Sequence, residues 1–482
     1  MPAQSASITD LSGVALSEQI HARDISCREV MQACLAQVDR LNPQFNAIVS
    51  RVDTDELLRQ ADTCDRELAD GSSRGWMHGF PMAIKDLADT AGVPTVRGSP
   101  LLVNNIPDHD ELMVARMKAA GGILIGKTNT PEFGLGSHTY NPVFGVTRNA
   151  YDPRQSAGGS SGGAAVALAL RMLPVADGSD MMGSLRNPAA FNNLFGLRPS
   201  AGRVPAWPKP DVWIGPLGTE GPMGRSVEDV ARLLAIQAGR DDRVPLSLAG
   251  QWPGQELDLA LDLRTVRIGW LGDLGGYLAM EPGILPLCES ALARLAADGC
   301  QVEVARPAFD PAKVWQTWLT WRRWLVAGNL REYWDVPASR AQLKPAARWE
   351  AEQGEMLTAR DVQRAAVERS RFYQQVLGMF GRYDYLALPS AQVWPFAAEL
   401  DWPKTIVGKV MDTYHRWMEV VIYATLAGLP AISVPVGFGA QGLSAGMQLI
   451  GRPLAELQVL RIARAYEQRV PDILARRPAA LG

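Results

Sequence analysis

Ser156-Ala-Gly-Gly-Ser-Ser-Gly-Gly163 and, after a run of alanines from Ala164 to Ala169, Gly178-Ser-Asp-Met-Met-Gly-Ser-Leu-Arg186 are the two stretches whose reading decides the fold. Glycine around serine lets backbone approach a substrate closely and supplies N–H groups to a developing oxyanion. The same composition also makes an ordinary flexible or phosphate-binding loop, so neither stretch assigns chemistry by itself. The first overlaps the nucleophile-elbow pattern G-x-S-x-G twice, centred on Ser160 and on Ser161, which raises a Ser-His-Asp hydrolase. The context opposes it. An elbow needs a strand just before its serine, and residues 151–157 read as a loop. The only later histidine, His415, lies in an apolar helical pattern with Tyr414, Met418 and Val421, where a helix-face histidine is the simpler reading.

Working outward, a helix starts near Gly162, a strand covers 173–176, and a glycine-containing loop follows. Upstream, apolar runs at 80–84 and 123–125 bracket a helix at 112–120. Downstream, Ser226-x-x-Asp229 opens a helix through Ala238, and 266–271 is a strand. The first 70 residues form a helical lead-in, with apolar positions at Leu11, Val14 and Ala15, a capping box at Ser26-x-x-Glu29, and Val30, Cys34 and Val38 along one face. Residues 311–380 are helical and rich in tryptophan. Strands return at 385–388, 431–436 and 444–450 before a closing helix at 456–470. This alternation predicts an α/β fold with helices on the faces of a sheet. With no linker or charge run to divide the chain, 1–482 reads as one domain: lead-in 1–70, core 75–240, variable helical region 310–380, and a return to the core at 385–482.

Of the 482 residues, 47% are hydrophobic and 21% charged, and the formal net charge is −3 without basic clusters, which disfavours nucleic acid as a partner. Five cysteines (Cys27, Cys34, Cys64, Cys288, Cys300) lack any C-x-x-C pair, which argues against a disulfide framework or zinc site and for reduced thiols in the cytoplasm. The N-terminus lacks the basic and apolar regions of a signal peptide. Residues 420–440 carry no charge and are long enough to span a bilayer, but Gly428, Pro430, Pro435 and Gly437 break them. A helix ending near Leu426, a turn, and a buried strand fit better than a membrane span.

Two further motifs align with the serine stretches: Gly79-Phe-Pro-Met-Ala-Ile-Lys85-Asp86 and Gly126-Lys-Thr-Asn-Thr-Pro-Glu132-Phe. Later come Phe195-Gly-Leu-Arg-Pro-Ser-Ala-Gly-Arg203, Gly221-Pro-Met and Gly442-Leu-Ser-Ala-Gly-Met-Gln-Leu-Ile-Gly451. In this order, over residues 79–451, the set resembles the amidase signature family. The resemblance implies a central mixed β-sheet flanked by α-helices on both faces, and hydrolysis of an amide to a carboxylic acid and ammonia or an amine, with no metal or organic cofactor. It further implies Ser184 as nucleophile, Ser160 as a bridging serine held by a cis peptide bond, and Lys85 as base. A lysine of ordinary pKa near ~10.4 can act so at neutral pH only if burial disfavours its charge. The implied oxyanion hole is the backbone N–H groups of Met181, Met182, Gly183 and Ser184.

Here the chain departs from the family it resembles, which usually carries Thr-Gly-Gly-Ser where this one has Met181-Met182-Gly183-Ser184. A methionine at positive φ would be strained, so either Met182 uses ordinary φ or the loop is rearranged. Its side chain either narrows the substrate pocket or packs beneath it. Asp180 and Arg186 read as a structural ion pair, and Ser161 as bonding to nearby backbone. Lys127 reads as a surface group at a strand end, and 122–125 as a strand rather than a phosphate cradle. Trp315, Trp318, Trp321 and Trp324 recur every three residues and cannot all face one core. Either Trp315 and Trp318 line a substrate entrance suited to an apolar or aromatic small-molecule amide, or the helix packs on the sheet with Arg322 and Arg323 snorkelling. A homodimer is compatible with the sequence. Two alternatives remain: the glutamine-hydrolysing subunit of a tRNA-dependent amidotransferase, and a catalytically inactive binding or scaffold subunit.

Overall fold

The structure, a computed structural model, describes residues 7–215, 217–249 and 257–482. The lead-in comprises helices Gly13–Ala22, Cys27–Phe45 and Thr54–Ala69. Each begins on a side-chain cap: Ser12 accepts from the Ala15 N–H, Ser26 forms the predicted capping box with Glu29, and Asp53 accepts from the Glu56 N–H. Val30, Cys34 and Val38 are buried as predicted. In the first helix the buried apolar pair is Leu16 and Ile20, one turn apart, while Leu11, Val14 and Ala15 are only half-buried.

Two sheets carry the core. In the smaller, Pro81–Lys85 runs parallel to Ile123–Thr128, which pairs antiparallel with Ile48–Val49. The larger is mixed and eight-stranded, in the order Gln301–Val304, Arg267–Trp270, Tyr385–Pro389, Ser444–Ile450, Ala431–Phe438, Phe195–Arg198, Thr219–Gly224, Ala176–Asp180. Its first two neighbour pairs are parallel and the remainder antiparallel. Strand alternation sorts side chains onto two faces. Tyr385, Ala387, Ile432 and Val434 join the core under helices Ile284–Ala296 and Glu456–Glu467, whereas Leu386, Leu388, Ala431 and Ile450 join the core under helices Pro311–Trp334 and Ala359–Met379.

The uncharged 420–440 stretch resolves as expected into a helical turn, Arg416–Val421, the short helix Ile422–Leu426 and the strand Ala431–Phe438. No helix among the described residues is long and apolar enough to cross a membrane. One expectation fails: the strand read at 173–176 lies instead at Ala176–Asp180, so the presumed glycine loop is itself the strand. Leu173 and Val175 are buried by packing rather than by a ladder. Gly178 permits the shift, because a Cβ there would stand 2.7 Å from the Ser161 Oγ.

Candidate active site

Lys85 ends its strand 2% exposed, with its backbone N–H directed at the Asp177 carboxylate (3.2 and 3.3 Å). Its ammonium reaches the Oγ atoms of Ser160 and Ser161, each at 2.8 Å, and that of Ser179 at 3.0 Å. Burial draws the Lys85 pKa down to about 7, against the opposing pull of Asp177, Asp180 and Glu220. A buried amine at that value, within hydrogen-bond reach of hydroxyls, can accept a proton at neutral pH.

The Gly159–Ser160 peptide bond is cis, as the resemblance implied, and the helix Gly162–Ala169 starts directly after Ser161. The Ser161 N–H donates to the Ser184 carbonyl at 3.3 Å, which ties the two serine stretches together. Ser161 thus bonds to backbone as predicted, and in addition contacts the lysine. Ser184 is 7% exposed, and its Oγ makes no hydrogen bond among the described residues. Exposure therefore rises from Lys85 at 2% through Ser160 at 3% to Ser184, the member nearest solvent.

The loop before Ser184 hangs on Asp180. Its carboxylate accepts from Arg186 Nε and Nη2, both at 2.9 Å, and from the N–H groups of Gly183 (2.8 Å) and Leu185 (3.2 Å). Arg198 donates to the Asp180 carbonyl, and Arg186 also holds Gln448 (2.5 Å) and Thr425 (3.0 Å). Burial alone would raise the Asp180 pKa; Arg186 and Arg198 overrule it and hold the carboxyl well below the usual carboxylate range. The predicted ion pair is therefore present and fully buried.

Positive φ falls on Gly183 (+77°), and Met182 keeps an ordinary φ, so the methionine is accommodated without rearranging the loop. Gly183 is needed there for a second reason, since a Cβ would stand 2.7 Å from Val421 Cγ2. Of the four predicted oxyanion donors, the Gly183 N–H is committed to Asp180, a correction the sequence could not supply. Those of Met181, Met182 and Ser184 donate to no group among the described residues. Met182 is 3% exposed and Met181 half-buried.

Lys127 corrects another expectation. It is 0% exposed, and its ammonium donates to the Ala88 carbonyl (2.6 Å), Thr90 Oγ1 (2.8 Å) and Thr95 Oγ1 (3.2 Å). Burial draws its pKa to about 8, with Asp86 and Asp177 pulling the other way. A strand-end lysine is buried here because its strand lies inside the small sheet, paired on both sides. His415 is buried at the N-cap of the Arg416–Val421 turn, packed against Trp315, Trp349 and Tyr414, and bonds to neither serine.

Trp315 and Trp318 are 1% and 0% exposed, in the same apolar cluster as Met182. Arg322 does not snorkel. It is 3% exposed because Glu350 and Tyr414, each 2.6 Å away, satisfy its guanidinium, while Arg323 lies over the Trp349 ring. Cys64, Glu67 and His78 lie close enough to share an ion, but Glu67 and His78 are already engaged by other partners. Glu67 binds Arg74 through both oxygens, and His78 Nδ1 accepts from the Arg74 N–H while Nε2 faces the Cys64 carbonyl. The sequence reading missed Asp177 and Ser179 altogether. Two residues apart on a strand, they share the face that meets Lys85, a signal hidden while the strand was placed at 173–176.

Residues 29–460 match the family model described as Amidase. The chain is 32% identical over 465 residues to an acylamidase of Rhodococcus erythropolis, covering 95% of each chain. It is 32% identical over 503 residues to a glutamyl-tRNA(Gln) amidotransferase subunit of Synechococcus sp. (strain CC9605), covering 98% of this chain and 99% of that one. Among solved structures it is similar to a bacterial aryl acylamidase of the amidase signature family, with a TM-score of 0.90 at 29% identity over 97% of this chain and 99% of that one. On these matches, and with Lys85 buried against the two serine loops, the chain belongs to the amidase signature family and is an enzyme that hydrolyses carbon–nitrogen amide bonds of small molecules.

Proposed function

We propose that this enzyme cleaves amides carrying apolar or aromatic groups through an acyl-enzyme on Ser184. The observation that carries the reading is the buried Lys85, 2.8 Å from Ser160 Oγ and with its pKa drawn to about 7. As Ser184 Oγ bonds to the amide carbon, its proton passes to Ser160, whose own proton passes to Lys85 Nζ. The relay then reverses to protonate the leaving nitrogen as the C–N bond breaks, and water attacks the acyl-enzyme by the same path. The link from Ser184 to Ser160 closes with substrate bound, as catalytic hydrogen bonds commonly tighten only then. The oxyanion sits on the free N–H groups of Met181, Met182 and Ser184. The apolar preference is supported by the two methionines at this loop and by the likeness to an acylamidase and an aryl acylamidase. Five free, buried cysteines suit a reducing, cytoplasmic setting.

Ser184→Ala and Lys85→Ala should each lower kcat by at least ~10³-fold across a panel of anilides, primary amides and esters, with His415→Ala retaining turnover. Full activity in Ser184→Ala would sink the reading. A second reading, hydrolysis of glutamine to feed ammonia to a partner, is favoured by the amidotransferase relative at 32% identity. A kcat/KM for glutamine, followed as ammonia release, that exceeds the value for every anilide, followed as aniline release, would select it.

A further inference from the structure

We propose that Arg322 is a positioning residue for the Met181–Ser184 loop, acting through the sulfur of Met181; this rests on reading that loop as the oxyanion site. Arg322 lies at the middle of the long helix Pro311–Trp334, 3% exposed, where a helix normally packs apolar residues. Its Nε donates to Glu350 Oε1 at 2.6 Å and its Nη2 to the Tyr414 hydroxyl at 2.6 Å, and that hydroxyl donates to the same Glu350 oxygen at 2.7 Å. The three groups close a triangle that joins three segments of chain: this helix, the helix Pro345–Glu355, and the stretch before the Arg416–Val421 turn. A closed, charge-neutral triangle inside the protein is rigid, because each member is held by two others and water cannot replace either.

One arm of the guanidinium is left over. Nη1 points at Met181 Sδ, 3.6 Å away, and this contact links the triangle to the serine loop. Met181 needs that anchor. It is half-buried, it packs between two apolar clusters, and its unbranched side chain has no fixed shape of its own. Its backbone N–H is one of the three uncommitted donors next to Ser184, and the loop's other tether, Asp180, grips Gly183 and Leu185 but not Met181. Fixing the Met181 side chain therefore fixes the direction of a donor that Asp180 does not hold. An oxyanion donor acts only when aimed in advance at the charge that develops, so the benefit arises in the transition state and not in substrate binding. The departure from the usual family sequence at this position then has a function: the methionine provides an acceptor that Arg322 can hold.

The test uses the full-length enzyme, hydrolysis of acetanilide, and calorimetric binding of phenylboronic acid, which forms a tetrahedral adduct on a nucleophilic serine. Met181→Leu nearly keeps the volume, leaves the Arg322 triangle intact and removes the sulfur acceptor. It should lower kcat and weaken boronate binding by a similar factor, about two- to tenfold, with KM within about twofold of wild type. Arg322→Met should move the same two quantities in the same direction, and the double variant should be no worse than Arg322→Met alone. Unchanged boronate affinity in Met181→Leu, a change confined to KM, or single effects that multiply in the double variant would overturn the proposal. Failure of the underlying reading looks different: wild-type enzyme would bind phenylboronic acid no better than Ser184→Ala does.

Discussion

Around Lys85, buried polar groups point at one another: one ammonium meets three serine hydroxyls, a second, on Lys127, meets a carbonyl and two threonines, and Asp180 gathers two guanidinium groups. In the helices from 311 to 379, outside the Arg322–Glu350–Tyr414 triangle, the contrast is plain. The indole nitrogens of Trp315, Trp318 and Trp321 are buried without a partner among the described residues, as are both ring nitrogens of the adjacent His415. Neutral groups tolerate that treatment at modest cost, while a charge does not. His415 accordingly loses its charge through burial and through the repulsion of Arg322, Arg323 and Arg416, which hold its pKa well below the ordinary value. Lys85 stands between these cases. Its direct partners are neutral hydroxyls, which satisfy an amine but do not balance an ammonium, and its nearest carboxylates only partly offset the burial. The same strand that presents Ser179 to Lys85 ends at Asp180, whose charge is fully paired. One strand thus presents, at adjacent positions, a hydroxyl to the removable proton of Lys85 and the fixed charge of Asp180.

Three measurements would break or sharpen this contrast. The largest expected effect is on the paired charge: Asp180→Asn leaves Arg186 and Arg198 buried without a counter-ion and should cost about 4 kcal/mol of stability in urea unfolding. A loss under about 1 kcal/mol would mean that the pair is not what holds the loop. Next, Trp318→Ala should cost about 3 kcal/mol through the cavity it opens, with KM unchanged. A raised KM with little loss of stability would instead return Trp318 to the substrate entrance. The smallest effect concerns the removable proton. In the proposed mechanism neutral Lys85 is the active form, so kcat/KM should be level above about pH 7 and fall about tenfold per unit below it, the protonated fraction growing as pH drops through the lysine's value. A level profile down to about pH 5 would assign the proton transfer to another group.

Much of the fold was legible because its signals are local. The Ser26-x-x-Glu29 capping box, the helix from Gly162 and the strands at Tyr385–Pro389 and Ser444–Ile450 follow from capping chemistry and from apolar periodicity. The misplaced strand at 173–176 shows the limit. Ala176-Asp-Gly-Ser-Asp180 has almost no β propensity, and it is a strand because Thr219–Gly224 pairs with it at a sheet edge. Lys127 was misjudged for a related reason, since a lysine's usual place is the surface and only pairing partners from distant segments make another place acceptable.

By itself the sequence offered candidates for the chemistry, Lys85, Ser160 and Ser184, through ordered motifs and the family they resemble. It could not determine which of those groups would be charged, or which N–H groups would be free. Lys85 is drawn toward neutrality by burial contributed from several segments, the Gly183 N–H is spent on Asp180, and Met181 is held by an arginine 141 residues away in sequence. Protonation and donor availability depend on what surrounds an atom in space, and that is assembled only when the chain folds.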